Sequence, residues 1–515
     1  MATSPDAQPQ DEVVAFLSDP ATHGTTDPVE VIGTHCAIVF LAGDRAYKIK
    51  RPVKYDYLDF STLARRHAVL ERELSLNLPA APMIYQSVVP ITRAPSGSLA
   101  LDGTGPPAEY ALVMRRFSTE AELSSIADAG LLTEEIAREL GRSVASYHEA
   151  APRSRSGEGA ILIREIIDEL GRVYSGMTDA LGAKAIAGFG SGASSQLERH
   201  SALLDRRAGA GRVRRCHGDL HLKNLVMLEG RPVPFDALEF DERLGTCDVY
   251  YDLAFLLMDL WHRKLHAQAN ATLNSYIFAT GDIEGLAALP LFLAIRSAIR
   301  AMVDVQTWRL TGEDALARAA RCYLSDAAAF LEPAPARLVA VGGLSGSGKT
   351  TVAHRLAPAI GAIPGALHLR SDLERKALFD VDALKRLPQS AYSKGAGQRT
   401  YERLFGKAET ALAAGHSVIL DATFLLAEHR EAARAVAEKA GVPFTPLWLS
   451  APPDTLLDRV RSRAPDASDA TEDVVRAQIA RAPDADGWPK VDAAGDLATT
   501  LGAARAHLQS HKALP

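Results

Sequence analysis

Eight residues, His217-Gly-Asp219-Leu-His221-Leu-Lys-Asn224, set an aspartate five positions ahead of an asparagine, and Phe235-Asp236 begins eleven positions beyond that asparagine. Moving a phosphoryl group onto a hydroxyl needs a carboxylate to orient the acceptor and oxygen ligands for the Mg²⁺ that bridges the nucleotide phosphates. In that chemistry Asp219 is the base, and Asn224 and Asp236 are the metal ligands. A lone His-Gly-Asp says little, whereas the full set in this order is specific.

A second constellation lies further along the chain. Gly343-Leu-Ser345-Gly346-Ser347-Gly348-Lys349-Thr350 fits G-x-x-x-x-G-K-[ST], with the apolar run LVAVGG before it and the helical pattern TTVAHRLAPAI after it. Glycines let backbone N–H groups curl round phosphate oxygens, and the N-terminus of the following helix favours negative charge. Lys349 then reaches the β- and γ-phosphates, the Thr350 hydroxyl takes Mg²⁺, and Thr351 adds a nucleotide contact. Arg370-Ser371-Asp372-Leu-Glu-Arg375 closes the next apolar run, where parallel sheets carry their ligand loops. Asp372 could orient or deprotonate an acceptor hydroxyl there, or simply cap the next helix. Val418-Ile-Leu-Asp421 ends another buried-strand pattern, so Asp421 could hold Mg²⁺ through water or act as a cap. Arg459, Arg461 and Arg463 bunch ahead of APDASDA, which suits a charge-neutralising lid or a solvated helix face.

Positioning the two groups takes two kinds of architecture. Before the first constellation come strand-like EVIGT, CAIVFLAG and RAYKIK, and a helix from about Thr62 to Leu78 with Leu63, Leu70 and Leu74 among its apolar positions. Strand-like SVVPIT and AEYALVMRRF follow. The pattern then turns helical, broken by short β-like pieces around HGDLHLKN and VPFDALEF, until the two prolines of Glu332-Pro-Ala-Pro-Ala-Arg337 block continuation. Beyond them strands and helices alternate, as a parallel sheet requires. The expected division is a flexible tail over 1–28, a small α+β lobe over 29–118, a helical lobe over 119–331, a linker over 332–337 and an α/β domain over 338–515.

With 515 residues, 47% hydrophobic and 23% charged, the chain reads as several globular units, and its net charge of −6 exerts no general pull toward nucleic acid or anionic membrane. Cys36, Cys216, Cys247 and Cys322 form no CxxC pair, so neither a disulfide framework nor a zinc site is expected, and Cys216 reads as a buried filler. Arg206, Arg207, Arg212, Arg214 and Arg215 read as a solvated connection rather than a polyanion grip. The start of the chain lacks an apolar signal core and no run approaches the ~18 apolar residues of a membrane span, so the expected compartment is the cytoplasm, without a membrane partner.

The region from about Val29 to Leu331 resembles the aminoglycoside phosphotransferase family, relatives of choline kinases and eukaryotic-like kinases: HGDLHLKN matches its HGD-x-H-x-x-N loop residue by residue. The resemblance implies a two-lobed, protein-kinase-like α+β fold with His217 and His221 in the active-site loop and Asp252 of Tyr-Tyr-Asp252-Leu-Ala supporting it. It also implies that Lys48 of Ala46-Tyr-Lys48 contacts ATP phosphates, with Glu73, or alternatively Glu71, as its helix partner. Lys50 shares the strand face of Lys48, because side chains alternate. FDALEFDE departs from the family's I-D-F/W-E/D, which leaves Glu239 and Asp241 as extra ligands or surface acids. The region from about Arg337 to Gln509 resembles the small-molecule and polynucleotide P-loop kinases, which implies an α/β P-loop NTPase domain with a parallel sheet. Its S-D-x-x-R element (Ser371, Asp372, Arg375) is most similar to the polynucleotide-kinase branch, where the Asp is the base.

The tandem is similar to bacterial fusions of the two domain types. It implies ATP and Mg²⁺ as cofactors and two sites phosphorylating hydroxyl groups of a small, sugar-like or aminoglycoside-like partner. The alternatives are a polynucleotide 5′-hydroxyl at the second half only, or a nucleotide-sensing role for one half.

Overall fold

The computed structural model describes residues 10–55, 58–154, 158–462, 466–481, 485 and 487–511. The chain forms two compact units, Met1–Leu162 with Asp205–Asp259, and Ile163–Leu204 with Leu260–Pro515.

In the first unit α1 (Asp11–Ser18) precedes strands β1 (Glu30–Gly33), β2 (Ala37–Ala42) and β3 (Arg45–Lys50), helix α2 (Leu63–Asn77), and strands β4 (Tyr85–Arg93), β5 (Leu99–Leu101) and β6 (Pro107–Arg115). The strands form one antiparallel sheet in the order β1-β2-β3-β6-β4-β5. Alternation of side chains decides what each face carries. Tyr47 and Ile49 of β3 join Phe40, Ile91, Ala111 and Val113 in an apolar layer, and α1 covers that layer with Val13 and Leu17. Part of the expected flexible tail is therefore structured: residues 11–18 are helical, and Leu17 is 0% exposed. Two apolar side chains one helical turn apart anchor a segment whose preceding residues are polar.

Lys48 and Lys50 leave the other face of β3 and meet α2. That helix starts at Thr62, whose hydroxyl accepts the Arg65 N–H at 3.4 Å. Its buried stripe is Arg66, Leu70, Glu73 and Asn77, residues three or four apart and so on one face. Three of the four are polar, and each is buried with a partner. Arg66 donates to Glu109 at 2.9 Å, Glu73 meets both lysines, and the Asn77 carbonyl oxygen accepts the Ala237 N–H at 2.9 Å.

After α3 (Glu134–Ala150), helices α4 (Gly159–Tyr174) and α5 (Ala183–Gly209) belong largely to the second unit. The first unit resumes with β7 (Val213–Arg215), the hairpin of β8 (Leu225–Leu228) and β9 (Arg231–Pro234), β10 (Thr246–Asp248), which pairs with β7, and α6 (Val249–His262). Of the five arginines around β7, Arg206 is exposed and Arg212 half-buried, but the other three are not a solvated connection. Arg207, Arg214 and Arg215 are buried, and they donate to Asp248 at 2.7 Å, to Glu149 at 2.9 Å and to Glu242 at 2.8 Å respectively. They clamp the short strands to the elements around them.

In the second unit α7 (His266–Thr280), α8 (Leu289–Thr311) and α9 (Asp314–Leu331) precede residues 332–337, which form neither helix nor strand. Strands β11 (Leu338–Gly343), β12 (Leu367–Arg370), β13 (Val418–Asp421), β14 (Phe444–Ser450) and β15 (Lys490–Asp492) then form a parallel sheet in the order β12-β13-β11-β14-β15. The connections hold α10 (Lys349–Leu356), α11 (Ser371–Leu378), α12 (Lys394–Ala413), α13 (Ala427–Ala440), α14 (Pro453–Arg461) and α15 (Glu472–Ala480), and α16 (Leu497–Ser510) closes the unit. Every residue of β11 is buried, as expected of a central parallel strand. Strand β12 is an edge, and its polar backbone needs partners from elsewhere. Helix α7 supplies them: the Asn274 oxygen accepts the His368 N–H at 2.7 Å, and the Asn270 amide donates to Ala366 O at 3.1 Å. Among the described residues no helix is long and apolar enough to cross a membrane.

Truncating Leu17 to alanine should destabilise the first unit by about 2–5 kcal/mol, as deletion of a buried leucine typically does. The measurement is the urea midpoint of its unfolding transition, and an unmoved midpoint would show that α1 does not hold the sheet.

Candidate active sites

The loop His217–Asn224 is hung from one buried carboxylate. Asp252 on α6 is 0% exposed; its Oδ2 accepts the His217 N–H at 3.1 Å and its Oδ1 accepts the Gly218 N–H at 2.8 Å. Gly218 has φ +84°, and a Cβ there would stand 3.1 Å from the Leu238 Cβ, so the turn needs glycine. His148, Cys216 and Asp252 lie close enough to resemble a metal site, but both Asp252 oxygens already serve the loop. Past the turn, Asp219 keeps 44% of its side chain exposed, His221 Nε2 lies 3.3 Å from it, and the Asn224 amide donates to its Oδ2 at 2.9 Å. His217 Nε2 lies 2.9 Å from Phe235 O, which ties the loop to the segment bearing Asp236.

Asp236 sits at φ +61°, a left-handed conformation unusual for a residue with a Cβ. Its N–H donates to the Tyr85 hydroxyl at 2.9 Å, and the next N–H goes to Asn77. Lys48 Nζ lies 2.7 Å from Glu73 Oε1 and 2.7 Å from Asp236 Oδ1. Lys50 Nζ lies 2.7 Å from Glu73 Oε2 and 2.5 Å from Glu239 Oε1. So of the two lysines on one face, Lys48 is the one paired with Asp236. Glu73 is the shared helix partner, while Glu71 is 52% exposed beside His67. Glu239 is held in the interior by Lys50, and Asp241 caps a short turn by accepting the Arg243 N–H at 2.7 Å.

Burial pulls the Lys48 ammonium down, but Asp236, Glu73 and Glu239 outweigh it and hold its pKa well above the usual value. Burial pushes the Asp236 carboxyl up, and Lys48 more than reverses that, so it stays below the usual range. Burial leaves Glu239 raised. Lys48 is thus kept a cation and Asp236 an anion, which suits a phosphate contact and a metal ligand. Asn224 and Asp236 are the oxygen donors that could hold Mg²⁺ here.

In the second unit the loop Gly343–Thr350 wraps tightly at the end of β11. A Cβ on Gly343 (φ +139°) would lie 2.5 Å from Leu449 O, and one on Gly346 (φ +85°) would lie 2.5 Å from Leu456 O. The Ser347 hydroxyl is buried without a hydrogen-bond partner, and Lys349 Nζ donates to Leu344 O at 2.8 Å. Thr350 Oγ1 donates to Asp421 Oδ2 at 2.7 Å. A cavity of about 230 Å³ is lined by Ser345, Gly346, Gly348, Lys349, Thr350 and Thr351 of the loop together with Asp372, Asp421, Arg459, Asp466 and Ser468. The glycine cradle, the unsatisfied hydroxyl and the lysine fit a chain of phosphates; Thr350 and Asp421 fit the Mg²⁺ that accompanies it.

Two of the aspartates lining this cavity, Asp372 and Asp421, are driven apart. Burial, reinforced by the charge of Asp421, raises the Asp372 pKa. Burial also pushes Asp421 up, but the His368 hydrogen bond and the charges of His368, Arg370 and Lys349 hold it at about 2. His368 and Arg370 were not singled out by motif. The usable signal is alternation along LHLRSD, which puts both on the side of β12 facing Asp421: His368 Nε2 is 3.3 Å and Arg370 Nε 3.8 Å from its Oδ2. Arg375 turns elsewhere, donating to Ala391 O at 2.9 Å and lying 5.2 Å over the Tyr392 ring. Arg459 lines the cavity and donates to Gly495 O at 3.1 Å. Arg461 pairs with Glu472 at 3.0 Å on the exposed face of α14, and Arg463 lies outside the described residues.

Comparison with known proteins divides the chain in the same way as its two constellations. Residues 101–289 match the family model of the phosphotransferase enzyme family, and residues 338–484 match that of an AAA domain. An uncharacterized protein of Mycobacterium tuberculosis strain H37Rv is 30% identical over 504 residues, spanning 95% of this chain and 98% of that protein. The uncharacterized counterpart from Mycobacterium bovis matches to the same extent. Among solved structures, a choline/ethanolamine kinase family protein from Mesorhizobium loti is 17% identical, covers 63% of this chain and 95% of its own, and superposes with a TM-score of 0.36. The GDP complex of aminoglycoside 2′-phosphotransferase-IIIa is 11% identical, with 62% and 99% covered and a TM-score of 0.39. A sugar kinase from Janibacter is 22% identical, with 34% and 95% covered and a TM-score of 0.28.

If Asp372 is an acceptor-side base it works only when ionised. Its raised pKa then places the acid limb of the second unit's phosphate transfer above the usual carboxylate value of about 4. A pH profile of that activity checks this, and a limb at or below about 4 would assign the limb to another group.

Proposed function

This chain belongs to the family of proteins that join a phosphotransferase-enzyme domain to a P-loop AAA domain, and we propose that both halves are working ATP- and Mg²⁺-dependent kinases for hydroxyl groups of a small molecule, sugar-like or aminoglycoside-like. Two kinase-type domains make it a phosphotransferase; the acceptor, the metal and the double activity belong to the proposal. What supports it is that each half has its own lysine, its own side-chain oxygens suited to a metal and its own carboxylate suited to an acceptor.

In the first unit Lys48, anchored on Glu73, would hold nucleotide phosphates, and Asp219 would orient the acceptor hydroxyl and receive its proton. Asn224 steadies that carboxylate through the 2.9 Å hydrogen bond to Oδ2. In the second unit the loop amides, Lys349 and Thr350 would grip the phosphates, with Asp372 across the same cavity as the base. Mg²⁺ at either site would neutralise phosphate charge and fix its geometry. A polynucleotide 5′-hydroxyl acceptor at the second half draws its support from the Ser371-Asp372-x-x-Arg375 sequence pattern, against which stands the turn of Arg375 toward Ala391 O.

In the full chain, Asp219→Asn and Lys349→Ala should each lower one phosphate-transfer activity by about 10²-fold or more and leave the other. Labelled-phosphate transfer to sugars, aminoglycosides and a 5′-hydroxyl oligonucleotide measures both. Turnover unchanged in both variants would end the two-kinase reading, and a half that binds ATP without turnover would be a sensor.

A further inference from the structure

We propose that the acceptor of the second unit's site carries an oxyanion next to its reactive hydroxyl, a phosphate ester or a carboxylate, and that Arg370 takes this group in exchange for Asp466. The proposal rests on that site being a kinase site and adds the class of compound it phosphorylates.

Arg370 ends β12, two residues before Asp372, and its side chain is only 16% exposed. Its Nη2 lies 3.0 and 2.9 Å from the two oxygens of Asp466, so Arg370 contacts both of them through a single nitrogen. Its Nε is buried and makes no hydrogen bond; Asp421 Oδ2 stands 3.8 Å away, beyond reach. A planar oxyanion meets a guanidinium best through two parallel bonds from two nitrogens. Asp466 does not achieve this, and it leaves a buried donor unsatisfied, which folded proteins rarely tolerate without a use.

Asp466 is also in the acceptor's way. It lies between α14 and α15 in the stretch 466–471, which has neither helix nor strand, and both Asp466 and Ser468 line the same cavity as the nucleotide loop. Ser468 hydrogen-bonds Asp372, so one short segment occupies the arginine and the base together. An incoming oxyanion can replace the Asp466 carboxylate at Arg370 and keep the guanidinium paired with an anion, and it can use the Nε donor as well. A neutral or cationic acceptor that displaced Asp466 would instead leave a nearly buried guanidinium unpaired.

The test uses the full chain with the nucleotide loop first filled by a non-hydrolysable ATP analogue and Mg²⁺, so that added anions cannot bind there. Calorimetric titration with inorganic phosphate, with gluconate and with glucose as the neutral control reads the site. Phosphate or gluconate should bind and glucose should not. Asp466→Asn should tighten the anion about tenfold by removing its competitor. Arg370→Ala should abolish binding. Because that change leaves two carboxylates without their partner, Arg370→Lys is paired with it; it keeps the charge without the fork and should weaken the anion about tenfold at an unchanged unfolding temperature. Binding of phosphate alone assigns an ester, and binding of gluconate alone a carboxylate. Anion binding absent from both the unmodified chain and Asp466→Asn, or unaltered in Arg370→Lys, overturns the proposal. Failure of the kinase reading shows separately, as a chain that does not take up the ATP analogue.

Discussion

Glu73 has no contact with solvent, and its two oxygens are each held by a lysine from the neighbouring strand. A carboxylate taken out of water is tolerable only with such partners; removing one member of a buried ion pair typically costs about 3–5 kcal/mol. Much of the first unit follows from this. Helix α2 must lie with its polar stripe on the inner face of β3, and β3 must present alternate lysines there. The same lysines reach Asp236 and Glu239, so the segment that bears both acids is drawn onto the sheet from far along the chain. The left-handed backbone at Asp236 persists because Tyr85 and Asn77 hold the N–H groups on either side of its carbonyl.

Asp421 plays the corresponding part in the second unit. It sits at the end of β13 among Thr350, His368 and Arg370, and the positive groups keep it ionised despite its burial. Asp372 lies in the same cavity without comparable compensation, and its pKa rises. Two carboxylates of one cavity are thereby separated into one held ionised and one whose pKa is raised. Against its burial, Asp421 is held low chiefly by the His368 hydrogen bond, with Arg370, its register partner on β12, adding charge.

Other charged groups serve only the framework. Arg207, Arg214 and Arg215 read in sequence as part of a solvated connection, yet they are spent on Asp248, Glu149 and Glu242 and hold two short strands in place. Asn270 and Asn274 complete the exposed edge of β12, which makes α7 and the parallel sheet parts of one compact body. The strand they steady is the one that carries His368 and Arg370.

Local chemistry was legible in the residues themselves. The spacing from Asp219 to Asn224, and the glycines and lysine from Gly343 to Thr350, are dictated within a single loop, and α2 runs within a residue of the span its apolar positions mark. The alternation of strands and helices past residue 337 likewise announces a parallel sheet before any contact is known. Only the tertiary structure decided which of Lys48 and Lys50 meets Asp236, that Glu239 is a buried partner rather than a surface acid, that α1 is packed, and that Arg370 faces Asp466. The reason is distance along the chain. Lys48 and Asp236 are 188 residues apart and Arg370 and Asp466 are 96 apart, and no local pattern records which buried charge will answer another across such gaps. That is settled when the sheet closes and each charge shut away from water must be matched.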